Sequence, residues 1–75
     1  MNRDLLQGKL RTVGKNFSWL LEELKKRGTP ISHSAFYRKL KGTSEFERHE
    51  ISAISRTIGL SKEEMTDIFF DELVS

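Results

Sequence analysis

Apolar residues along this chain recur at helical spacing, and strand-like alternation is absent. Leu6, Leu10 and Val13 follow an i, i+4, i+7 pattern after Asn2 and Asp4 and stop at Gly14, which predicts a helix over residues 4–13. Leu20, Leu21 and Leu24 mark a second helix, expected to open at Ser18 and to run over 18–27. Its early Glu22 and Glu23 and its late Lys25, Lys26 and Arg27 complement the helix dipole, and Gly28 ends it. Thr29-Pro30 reads as turn, because the residue before a proline is pushed away from helical dihedrals. Ile31 and Phe36 flank Ser32 at the spacing of a hydrophobic staple around an N-cap, so a third helix is expected over 33–41, with Gly42 as its stop.

The fourth helix offers two starts. Ser44 with Glu47 matches a capping box, but a cap at Glu47 sets Phe46 and Ile51 at staple positions, and that choice predicts a helix over 48–58 ending at Gly59. Ser61 and Glu64 form a second capping box, flanked by Leu60 and Met65, which opens a fifth helix over 62–70. No repeat, low-complexity segment or linker divides the chain. The expected fold is all-α, one small domain over residues 1–75 made of five short helices packed at steep angles. Its expected core is Leu6, Leu10, Val13, Phe17, Leu20, Leu24, Ile31, Phe36, Leu40, Phe46, Ile51, Ile54, Ile58 and Leu60. Trp19 is expected to be partly buried at the start of the second helix.

The third helix has two unlike sides. Ala35, Phe36 and Leu40 form an apolar side, while Ser34, Tyr37, Arg38 and Lys41 share a stripe at i, i+3, i+4, i+7 spacing with His33 at its start. Charge adds to this picture. Residues 1–41 hold ten Lys/Arg against three Asp/Glu, a net +7, whereas residues 42–75 hold three against eight, a net −5. The basic half is thus suited to a polyanion.

The second helix, the turn and the third helix have the layout of a helix-turn-helix, whose second helix enters the major groove while the first crosses the backbone. The order Phe-Ser-x-x-x-Glu-Glu-Leu, then Gly, then Ile-Ser-x-Ser-x-Phe-Tyr-Arg-Lys-Leu-x-Gly, then Phe-x-Arg-x-Glu-Ile and Ile-Gly-Leu-Ser, resembles the phage repressor/Cro and XRE family of transcriptional regulators from Leu6 to about Phe70. That resemblance implies a lambda-repressor-like fold, a double-stranded DNA operator as partner, and a homodimer on two half-sites. It also implies base contacts from His33, Ser34, Tyr37 and Arg38, and phosphate contacts from Ser18, Lys39 and Lys41. The chain departs from the family pattern at the inserted Thr29-Pro30 and at Leu24, where a small residue is usual, so a wider crossing of the second and third helices is expected.

Met65, Ile68, Phe69, Phe70, Leu73 and Val74 put apolar groups on more than one face of the C-terminal segment. Phe69, Phe70, Leu73 and Val74 are therefore the expected dimer or partner interface. The alternative reading is a helix-turn-helix protein-interaction module, such as a phage modulator of a repressor or an antitoxin, bound to another regulatory protein. No catalytic residues are expected, since His33 and Ser34 are sequence neighbours without a third orienting group. No metal or cofactor is expected either, because His49 has no ligand partner at i+3 or i+4 and there is no cysteine. The lack of cysteine suits a reducing cytoplasm. No signal-like or membrane-spanning apolar run is present, so a cytoplasmic protein is expected.

Overall fold

The computed structural model describes residues 1–70. It contains five helices, α1 (Arg3–Thr12), α2 (Phe17–Lys26), α3 (His33–Lys41), α4 (Arg48–Ile58) and α5 (Lys62–Phe69), and no strand among the described residues. The all-helical fold matches the periodicity of the sequence.

Helix starts are fixed by side-chain caps. The Asn2, Asn16 and Ser32 side chains accept from the Leu5, Trp19 and Ala35 amides at 3.0, 2.9 and 3.1 Å. Glu47 with Glu50 and Ser61 with Glu64 close reciprocal capping boxes at α4 and α5, so the later start of α4 is the one adopted. The start of α2 differs from expectation. Asn16 is the cap, which makes Phe17 the first helical residue and leaves Ser18 exposed in the first turn. Gly42 ends α3 in the left-handed region at φ 92°, a conformation a side chain would strain.

The core draws on every helix. Leu6 and Leu10 of α1, Leu20 and Leu24 of α2, Phe36 and Leu40 of α3, Ile54 of α4 and Ile68 of α5 are all buried. α2 packs most extensively on α4, and α5 closes against α1 and α4. Leu24, at the position where a small residue was expected to be usual, is fully buried in the core. Between α2 and α3, Phe17 stands edge-on to Phe36 at 5.3 Å. Phe36 in turn meets Phe46 at 5.8 Å, and Phe46 meets Phe69 at 5.5 Å. Four aromatic rings thus connect α2, α3, the loop before α4, and α5.

The two ends of this described region are tied together. The Asn2 amide donates to the Ile68 carbonyl at 2.6 Å, and Lys9 of α1 forms an ion pair with Glu64 of α5.

Several core expectations change. Val13 is 47% exposed, because α1 ends at Thr12 and the chain turns through Gly14 before Val13 can reach the interior. Phe46, Ile58 and Leu60 are half-buried against the core, not within it. Leu21, Ile68 and Phe69 are buried and were not expected to be. Phe69, expected at a dimer interface, instead packs on Phe46. With Ser61 as cap, Met65, Ile68 and Phe69 share one face of α5, and that face points inward. Trp19 is half-buried, as expected, with the Lys15 ammonium 5.2 Å from its ring centre.

Ser55 is buried in α4 and its hydroxyl has no hydrogen-bond partner among the described residues. Ser55→Ala removes an unpaired polar atom at little loss of packing, so urea unfolding is expected to show unchanged stability or a gain of up to about 1 kcal/mol. A loss larger than about 1 kcal/mol would mean that the hydroxyl has a partner in solution.

The Glu64 carboxyl is held below the ordinary value of 4.5, first by the Lys9 side chain and then by the Ser61 amide. A depressed carboxyl stabilises the fold fully above its unfolded value and loses that contribution as pH falls through its folded one. Glu64→Gln is therefore expected to flatten the stability profile below pH 4.5 and to leave the slope near neutrality unchanged, as read by thermal melts across acid pH.

Candidate nucleic-acid interface

The inward side of α3 fixes what its outward side can do. Phe36 and Leu40 are buried, and Ala35 and Lys39 are half-buried beside them. His33, Ser34, Tyr37, Arg38 and Lys41 are exposed on the other side, as their spacing requires.

Tyr37 is the best supported of the five. Its ring stands edge-on to Phe17 at 6.2 Å and to Phe36 at 5.7 Å, and the His33 ring lies nearly parallel to it at 6.5 Å and 18°. Propped on three sides by rings, Tyr37 still keeps part of its surface in solvent. Arg38 and Lys41 have no carboxylate within ion-pairing distance among the described residues. Their charges are available to an outside partner. The carbonyl of Arg38 accepts from both the amide and the hydroxyl of Thr43, at 3.1 and 2.9 Å, which anchors the end of the helix without using the guanidinium.

Ser18 lies one position beyond Phe17 in the first turn of α2. Phe17 touches both Phe36 and Tyr37, so the first turn of α2 abuts α3, and Ser18 is exposed there. The amides of that turn form the positive end of the α2 dipole. Lys15, just before α2, holds its ammonium over the Trp19 ring.

Lys39 is placed elsewhere. Its ammonium donates to both carboxylate oxygens of Glu50 at 2.6 Å. The two side chains are only 13% and 9% exposed, and Lys39 also lies 5.8 Å from the centre of the Phe46 ring. An ammonium so enclosed is committed inside the fold and not to a phosphate. The reason is geometric, because Lys39 shares the Phe36 and Leu40 side of α3, and Glu50 sits at the third position of the Glu47-capped α4.

Glu47, His49 and Glu50 bring ligand-type atoms within 4.8 Å of one another. The Glu50 carboxylate is already neutralised by Lys39 and accepts from the Glu47 amide at 2.8 Å, so it is occupied in holding the fold. At the far end of α3, Lys39, Gly42, Phe46, Phe69 and Phe70 line a depression of about 380 Å³, and Phe70 is 37% exposed. Of the other expected interface residues, Leu73 and Val74 lie outside the described residues. No described helix is long and apolar enough to cross a membrane.

Comparison with family models, with curated proteins and with solved structures returns no match.

Proposed function

We propose that the protein is a sequence-specific DNA-binding transcriptional regulator of the repressor/Cro kind, which inserts α3 into the major groove of an operator. The observation that carries this reading is the outward side of α3, where Ser34, Tyr37, Arg38 and Lys41 are exposed while the opposite side is held by Phe36, Leu40 and Lys39. The net +7 of residues 1–41 supports a polyanionic partner.

Each group has a chemical task in this arrangement. The Arg38 guanidinium donates two parallel bonds to a guanine edge, Ser34 donates or accepts, and His33 does either according to its tautomer. Tyr37 offers a ring edge to a thymine methyl or a hydroxyl to phosphate. Lys41 and the first turn of α2 at Ser18 hold phosphates on either side. A single helix covers too few base pairs for selectivity, so the working unit is a homodimer on two half-sites, and its occupancy of the operator blocks or redirects transcription.

A second reading, a helix-turn-helix module that binds another regulatory protein, draws on Phe70, which stays exposed beside the depression at the end of α5.

Selection of bound duplexes from a random-sequence library tests the first reading directly, and a chain that enriches no sequence and shows no salt-dependent binding overturns it. On the enriched duplex, Arg38→Ala is expected to weaken binding by about 1–3 kcal/mol and to relax preference at one position of each half-site.

Lys41→Ala should instead weaken binding to all duplexes alike and make the salt dependence shallower by about 0.9 per subunit. Titrations at several salt concentrations separate these two outcomes, and an unchanged slope with lost preference would assign Lys41 to base reading.

A further inference from the structure

Lys39 is the basic residue of α3 that faces inward, and its partner Glu50 is one of two buried polar residues in the described chain. Desolvation offsets much of the attraction between two buried charges, and apolar side chains of similar volume hold such a site as well or better. Stability alone therefore does not account for the pair, whereas directionality does. Phe36 and Leu40 make non-directional contacts that tolerate a small roll of the helix. The Lys39–Glu50 contact is two-pointed, and the same Oε1 of Glu50 accepts from the Glu47 amide, so one carboxylate fixes both the start of α4 and the facing of α3.

At 3.6 residues per turn, Lys39 lies almost opposite Ser34, Tyr37 and Lys41 on the helix circle. A roll of about 20° on a cylinder of about 5 Å radius moves an outward side-chain tip by nearly 2 Å. Hydrogen-bond distances to a base edge span only about 0.5 Å, so such a roll loses base recognition while attraction to phosphate survives.

We infer that Lys39 and Glu50 are a positioning pair that sets the rotation of α3 about its own axis, and with it the direction in which Ser34, Tyr37 and Arg38 face. The consequence for recognition rests on the DNA-binding reading; the mechanical role does not.

The double variant Lys39→Met/Glu50→Gln removes both charges and keeps an oxygen for the Glu47 amide. It is expected to unfold at the same urea concentration as the wild type or a higher one. Amide hydrogen exchange should nevertheless show protection of Tyr37–Lys41 reduced about tenfold relative to Leu20–Leu24. Preference for the enriched duplex over random duplex should fall about tenfold, with the salt slope unchanged. Lys39→Arg, which keeps a two-point contact, should retain both properties.

Protection that changes equally in α2 and α3 overturns the inference, and so does a double variant that no longer folds, since the pair would then be a stability element. A wild type that prefers no duplex overturns the DNA-binding reading instead, and hydrogen exchange still decides the role of the pair.

Discussion

The edge-to-face contact of Phe17 on Phe36 is the interaction on which the rest of the architecture depends. Phe36 is fully buried and sits between Phe17 on one side and Phe46 on the other. Through Phe46 the chain of rings reaches Phe69, so α2, α3, the loop before α4, and α5 share one set of contacts. Edge-to-face pairs add directional energy to area burial, about 0.5–1.5 kcal/mol each. In a chain of 75 residues, whose folding buries little surface, three such pairs in series are a substantial share of net stability.

This mode of docking gives α3 its division of labour. The ring of Tyr37 belongs to both sides, braced by Phe17 and Phe36 from within and stacked by His33 from without. Arg38 and Lys41 are outside the ring contacts and have no ion-pair partner among the described residues, while Lys39, one position away from Arg38, is drawn inward to Glu50. The helix thus sorts three cations within four positions by angle alone.

Helix existence and type were legible in the sequence because the caps are local. Ser61 announces a start through Glu64 three residues on, Ser32 and Glu47 through the staple pairs that flank them, and Gly42 and Gly59 announce the stops. Asn16 and Ser18 both offer a capping side chain, and the choice between them rests on burying Phe17, a tertiary matter. Val13 fits the apolar spacing of α1 but falls beyond its last turn. The outward stripe of α3 could be read from period alone. The commitment of Lys39 could not, since it depends on where Glu50 comes to lie across a loop, and neither could the inward turn of Phe69, which depends on a ring in the loop before α4.

The hydrogen bond from Asn2 to the Ile68 carbonyl has a kinetic side. The contacts within each helix and across each turn are short in sequence and form quickly, whereas this one closes a loop that spans nearly the whole described chain. Its entropic cost grows only as the logarithm of loop length, but it must be met before α1 and α5 reward it with buried surface. Docking of α1 against α5 is consequently the most non-local step of assembly, with α2 and α4 much nearer to each other in the chain. The α2–α4 region can order ahead of it, and the sheltering of Leu6, Leu10 and Ile68 from water waits on that final closure.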